Sequence, residues 1–131
     1  MINAFLLSRF VLKDIKNYFG FLFEKGFNIH HAEYATQCNG SWSVQLKSRD
    51  CLIYIVQDRG CIEISFAPLP EIQPYKNPID LEQMIFVVTE GKVCIGNFEG
   101  NLLWRKKQQF ERSAGLLREY VDQISLFFAC S

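Results

Sequence analysis

The chain has 131 residues, 49% of them hydrophobic and 15% aromatic, and its 14 basic and 14 acidic side chains give a net charge of zero. This length suits one domain with a sizeable core, and the apolar content excludes a disordered chain. A net charge of zero argues against a dedicated nucleic-acid binder, which needs a basic excess, and leaves self-association open. We therefore expect a single domain over residues 1–131.

An amphipathic helix is predicted from Ile2 to about Lys25, where Gly26 supplies a C-terminal stop. Its apolar positions, at helical spacing, are Leu6, Leu7, Phe10, Val11, Ile15, Phe19, Leu22 and Phe23. Charges from Arg9 to Lys16 interrupt this run before it reaches the length of a signal-peptide core. No stretch approaches the roughly 18 apolar residues of a membrane span, so we expect a cytoplasmic protein without a membrane partner.

Four strand candidates follow, joined by turns that are too short for crossover connections. The strands span Phe27–Thr36, Trp42–Ser48, Cys51–Gln57 and Cys61–Phe66, and the turns fall at Cys38–Ser41, Arg49–Asp50 and Asp58–Gly60. The second strand alternates, with Trp42, Val44 and Leu46 on one face, whereas the third is apolar on both faces, as a central strand would be. Short turns require antiparallel neighbours, so the pattern predicts a meander.

The segment after the fourth strand contains four prolines, at Pro68, Pro70, Pro74 and Pro78. They predict a stiff connection on the surface. A short helix then runs to about Val88 and ends at Gly91. Two starts are open: Asn77 as the N-cap with Pro78 at the first helical position, or Asp80 as the N-cap with Gln83 three residues later.

The last quarter of the chain offers a fifth strand at Lys92–Phe98 and a long helix from about Leu102. The apolar stripe of this helix consists of Phe110, Ala114, Leu117, Val121, Ile124 and Phe128. We therefore predict an α+β fold: an antiparallel β-meander of four to five strands, packed with an N-terminal helix and a long C-terminal helix as a two-layer sandwich.

Residues that could carry chemistry form no recognisable motif. The odd, irregularly spaced cysteines (Cys38, Cys51, Cys61, Cys94 and Cys130) favour free thiols, although one bridge between Cys51 and Cys61 across a hairpin stays open. His30 and His31 should point to opposite faces of a strand and so cannot bind one metal together. We predict no catalytic residue, metal or cofactor, and we do not favour an enzyme.

Three surface segments are candidates for binding, although turn chemistry, a plain connection and a solvated helix face are the simpler explanations for them. The residues are Asp58 and Arg59 on a hairpin turn, Ile72 and Tyr75 in the proline-rich segment, and Trp104, Arg105, Lys106 and Lys107 at the start of the last helix. Three cations in a first helical turn oppose the helix dipole, which favours a bound anion or a nearby acid such as Glu99 or Glu111.

Residues 5 to 90 resemble a loose group of small bacterial α+β proteins, some of them associated with toxin–immunity systems. The resemblance lies in the Gly26-Phe27 step, a strand ending at Ser48, the Asp58-Arg59-Gly60 turn, an exit near Pro68 and the Pro78–Leu81 helix start. It implies a non-catalytic protein that binds another protein, as an immunity protein binds its toxin. The alternative is a small enzyme or ligand-binding domain, with a pocket between sheet and helices lined by Cys51, Tyr54 or His31.

Overall fold

The computed structural model describes residues 4–35, 41–70, 78–95 and 106–130. The helices and strands in this part of the chain are α1 (Ala4–Glu24), β1 (Asn28–Ala35), β2 (Ser41–Lys47), β3 (Cys51–Asp58), β4 (Cys61–Pro68), β5 (Ile79–Asp80), α2 (Leu81–Val88) and α3 (Lys106–Ala129). The strands form one antiparallel sheet in the order β1-β2-β3-β4-β5. The predicted α+β fold, with its meander and its two long helices, is confirmed.

One face of the sheet packs against the helices. Trp42, Val44 and Leu46 of β2 are buried on this face, as their alternation predicts. The register of β3 places Ile53 and Ile55 beside Leu46 and Val44, which extends the apolar layer across the sheet. β3 is the central strand of the five, as its continuous apolar sequence predicts. On its other face Leu52 is buried, whereas Tyr54 and Val56 are only half-buried.

The helical layer meets the sheet around Phe110. All six residues of the predicted α3 stripe are buried. The Phe110 ring stacks on Tyr18 of α1 at a centroid distance of 4.8 Å and on Trp42 of β2 at 6.2 Å, and it lies edge-on to Phe19 at 5.8 Å. This ring therefore joins α1, β2 and α3 in one apolar cluster.

The start of α2 settles the two alternatives left open by the sequence. Asp80 is the N-cap, and its Oδ1 accepts the N–H of Gln83 at 2.8 Å. The start at Asn77 and Pro78 is wrong, because Ile79 and Asp80 pair as β5 with Phe66 and Ser65 and so cannot be helical. The predicted end at Val88 is confirmed. Glu90 and Gly91 follow with φ angles of 55° and 80°, and the N–H of Gly91 donates to the carbonyl of Phe86 at 2.8 Å.

Some predicted segments fall partly or wholly outside the described residues. Residues 92–95 are not in a strand, and the rest of the proposed Lys92–Phe98 strand lies outside. The Cys38–Ser41 turn is described only at Ser41, and the expected start of the last helix near Leu102 precedes the first described helical residue, Lys106. Within the described segments, no helix combines the length and the apolarity needed to cross a membrane.

Candidate binding site

The tip of the β3–β4 hairpin is a two-residue turn formed by Arg59 and Gly60, with φ angles of 53° and 80°. Two positive φ angles in a row are typical of the type I′ turn, which favours Asn-Gly because both residues accept this conformation easily. Arginine in the left-handed region costs about 1 kcal/mol. Arg59 and the preceding Asp58 are both exposed, so the predicted tip displays a base and an acid to solvent.

Gln109 of α3 holds this tip in place. Its Oε1 accepts the N–H of Ile62 at 2.8 Å, and its Nε2 donates to the carbonyl of Gly60 at 2.8 Å. The side-chain amide thus supplies the acceptor and the donor that a peptide group of a further strand would supply. Gln109 is only 5% exposed, and it covers the edge of β4 next to the turn.

A cavity of about 350 Å³ lies beside the same strand edge. Because β5 pairs only with Ser65 and Phe66, the first half of β4 has no strand partner on this side among the described residues. The cavity fills this space between β4, the start of α2 and the first turns of α3. Its lining residues are Val56, Ile62, Glu63, Ile64, Ser65, Asp80, Leu81, Glu82, Gln109, Arg112 and Ser113.

Only some of the charged residues that line the cavity form an ion pair or a hydrogen bond with other described residues. Nη1 of Arg112 lies 3.4 Å from Oε1 of Glu82, and the two side chains are 23% and 22% exposed. Asp80 is engaged as the N-cap of α2. Glu63 and the hydroxyl of Ser113 bind none of the described residues, although Ser113 is only 7% exposed. Glu63 is exposed and alternates with the buried Ile62 and Ile64, so its side chain lies on the other side of β4 from Ser113 of α3.

The predicted basic cluster begins one turn before Gln109, and its described members are paired. Nζ of Lys106 lies 2.8 Å from Oδ2 of Asp14 and 5.7 Å from the centre of the Phe110 ring. Nζ of Lys107 lies 3.8 Å from Oε1 of Glu111, one of the two acids suggested by the sequence; the other, Glu99, lies outside the described residues. Local carboxylates thus offset the cations at the start of α3. The remaining candidates Trp104, Arg105, Ile72 and Tyr75 lie outside the described residues.

None of Cys51, Tyr54 and His31, the residues suggested to line a pocket, borders the cavity beside β4. Cys51 is fully buried, and burial raises the pKa of its thiol to about 12; the Ser48 hydrogen bond opposes this rise and Asp50 adds to it. A thiol that stays protonated at neutral pH is a poor nucleophile. His31 is exposed on β1, with Nε2 3.0 Å from Oε1 of Glu33.

The cysteines described by the structure are unbridged. Cys51 pairs with Pro68 at one end of the hairpin and Cys61 with Asp58 at the other, which rules out the suggested bridge between the two cysteines. Cys94 and Cys130 are exposed free thiols. Cys38 lies outside the described residues.

The histidine pair does not follow the simple strand alternation assumed from the sequence. The pairing of β1 with β2 shifts between Ile29 and His31, so His30 occupies a β-bulge. Both histidines are exposed. Across the described ranges, no group of three or more histidine, cysteine or acidic side chains is arranged to hold a metal ion.

The fold places the protein in the class of open antiparallel sheets covered by helices. No protein-family model, curated protein or solved structure matches the chain. The resemblance to immunity-like proteins therefore stays a prediction from the residues that carry it.

Proposed function

We propose that this protein is a non-catalytic binding module that recognises a protein partner through the tip surface, defined as Asp58, Arg59 and the adjoining cavity beside β4. The observation that carries the proposal is the contact made by Gln109. It fixes an exposed, charged hairpin tip to α3 directly beside a partly buried cavity. A rigid, preformed surface of this kind loses little conformational entropy when a partner binds.

The identity of the residue at the turn supports a role in recognition. Arg59 adopts a left-handed conformation in which asparagine or glycine would be less strained. A strained residue at an exposed tip is explained if its side chain is used, and arginine is among the residues that contribute most to protein interfaces.

Exposed apolar side chains near the cavity extend the same surface. Phe86 and Val87 of α2 are 48% and 44% exposed. α2 starts at the cavity with Leu81, so these residues lie within about 10 Å of it along the helix. A partner that covers the tip surface and α2 would bury them and approach the roughly 800 Å² per chain that stable complexes need.

Capture of a partner from cell lysate, followed by measurement of its affinity for purified variants, tests the proposal. Asp58→Lys and Arg59→Glu should each weaken the complex about tenfold, which corresponds to about 1.4 kcal/mol. Lys47→Glu is the matched control, since this exposed lysine pairs with Leu52 at the opposite end of the β2–β3 ladder. Wild-type affinity in both tip variants would contradict the proposal.

The sequence resemblance suggests that the partner is a toxin, which this protein would inhibit as an immunity protein does. The purified partner would then carry a toxic activity that falls in proportion to the complex formed. Arg59→Glu should reduce this inhibition by the same factor as it reduces binding. A partner whose activity is unchanged in the complex would contradict the immunity-like role and leave the binding role intact.

A small-molecule ligand is the second candidate function. The cavity volume of about 350 Å³ falls within the range of ligand pockets, and the unbonded Ser113 hydroxyl offers a polar contact inside it. A screen of small polar metabolites by thermal shift tests this reading. A compound that stabilises the wild type and not Ser113→Ala would favour it, and the absence of any such compound would count against it.

A further inference from the structure

We infer that β1 is the interface of a homodimer, in which the β1 strands of two copies pair antiparallel about Ala32 and continue the sheet from one copy to the other. This inference goes beyond the proposed function and does not depend on it, because β1 lies at the opposite edge of the sheet from the cavity beside β4.

β1 has an open edge that can accept another strand. It is the first strand of the sheet, so among the described residues no strand pairs with its outer side. Proteins commonly protect such an edge with lysine, proline or a bulge. The bulge of β1 is at His30, and the five residues that follow, His31 to Ala35, pair regularly with β2 and include neither lysine nor proline. This part of the edge therefore lacks the features that commonly prevent pairing between copies.

The hydrogen-bond pattern of the sheet shows which peptide groups face this edge. The N–H of Ser48 donates to the carbonyl of Cys51 at 3.0 Å, and along the regular β2–β3 ladder this directs the even-numbered residues of β2 toward β3. The odd-numbered residues of β2 then face β1, where Glu33 and His31 lie opposite them. Ala32 lies between these two hydrogen-bonded positions, so its N–H and its carbonyl point away from β2, toward the open edge.

The charges of the side chains select the register of the pairing. Ala32 lies beside the buried Val44, so its neighbours His31 and Glu33 lie on the face of the sheet away from the helices. Pairing about Ala32 places His31 of each copy opposite Glu33 of the other, a favourable cross-strand pair that occurs twice. Pairing about Glu33, the next position, would place two carboxylates opposite each other, which is unfavourable. The sequence His31-Ala32-Glu33 is thus complementary to itself in the antiparallel direction.

The strength of this dimer follows from the length of the strands. A pair of short strands buries less than the roughly 800 Å² per chain of a stable complex. We therefore expect a weak dimer that forms reversibly as the protein concentration rises. Sedimentation velocity over a concentration series up to about 1 mM should show an increase toward twice the monomer mass.

Charge variants test the register. His31→Glu alone and the double variant His31→Lys/Glu33→Lys should each weaken self-association about tenfold, because like charges then face each other in the homodimer. A mixture of these two variants should form a heterodimer, since each acid of one chain then faces a lysine of the other. Glu63→Lys is the matched control, because the ladders place Glu63 in the same row across the sheet as Glu33, on the same face and on β4. It should leave self-association unchanged.

Amide hydrogen exchange locates the pairing in the wild type. Protection of the Ala32 N–H should rise with protein concentration, whereas that of the Glu33 N–H, which faces β2, should change little. Circular dichroism establishes that each variant is folded. The inference is overturned if the wild type stays monomeric up to about 1 mM. It is also overturned if the folded variants form no heterodimer when mixed, or if a dimer forms without protecting Ala32.

Discussion

Replacement of Gln109 is the sharpest test of how the site is held together. Gln109→Ala removes two hydrogen bonds of 2.8 Å and leaves the N–H of Ile62 and the carbonyl of Gly60 without their partner. An unsatisfied buried group costs about 1–3 kcal/mol. Ile62 is buried, whereas the turn at Gly60 is exposed and its carbonyl can bind water. We therefore assign the full cost to the N–H of Ile62 and part of it to the carbonyl of Gly60. The expected loss in the free energy of unfolding is about 2–3 kcal/mol.

Urea unfolding followed by circular dichroism measures this loss. Gln123→Ala is the matched control, because Gln123 is exposed on the same helix and the gain in helix propensity cancels between the two variants. The difference between the variants then reports the contacts of Gln109 alone. A difference below about 0.5 kcal/mol, the usual effect of a surface substitution, would refute the view that Gln109 fixes the hairpin tip.

The free energy of unfolding of the Gln109→Glu variant should fall as the pH rises. One carboxylate oxygen can still accept from Ile62, but the other now faces the carbonyl of Gly60 in place of a donor. The protonated form can donate there, so folding should raise the pKa of the introduced carboxyl above its unfolded value of about 4.3. Its stabilising contribution is then fully present below that value and is lost as the pH rises through the folded pKa. The variant should approach wild-type stability on acidification, and a pH-independent deficit would contradict this mechanism.

Three further predictions concern the core and the turn. Because burial raises the pKa of Cys51 from 9.0 to about 12, its contribution to stability is present below pH 9.0 and is lost between these values. Urea unfolding should show this loss, about 1.4 kcal/mol per pH unit, and Cys51→Ala should show a shallower slope. Phe110→Ala should cost about 3–5 kcal/mol in calorimetry, since the ring stacks on Tyr18 and Trp42. Arg59→Asn should raise stability by about 0.5–1 kcal/mol in the same assay while weakening partner capture.

The parts of the fold that were predicted correctly depend on local patterns. The alternation of Trp42, Val44 and Leu46 identifies the buried face of β2, and the four-and-three spacing from Phe110 to Phe128 identifies that of α3. The start of α2 was ambiguous, because a proline at the first helical position and an aspartate N-cap are both sound local signals. Pairing of Ile79 with Phe66, a contact distant in sequence, decided between them.

The candidate site could be predicted only in part. Turn chemistry locates Asp58 and Arg59, but Gln109 and Ile62 are 47 residues apart, and no local pattern connects them. One signal was present in the sequence: Arg112 and Ser113 lie three and four residues after Gln109, so the three share one face of a helix beside its apolar stripe. A row of polar residues of this kind indicates the edge of the buried face of a helix. The strand that these residues contact, β4, is known only from the structure.

α3 also explains why the site is rigid. Gln109 and Ser113 are each followed directly by a core residue, Phe110 and Ala114, so side chains that form the cavity and side chains that form the core alternate along the same turns. The backbone of α3 beside the cavity cannot shift without separating Phe110 from Tyr18 and Trp42. Core packing therefore fixes the backbone of this part of the site before a partner binds, which lowers the entropy cost of binding.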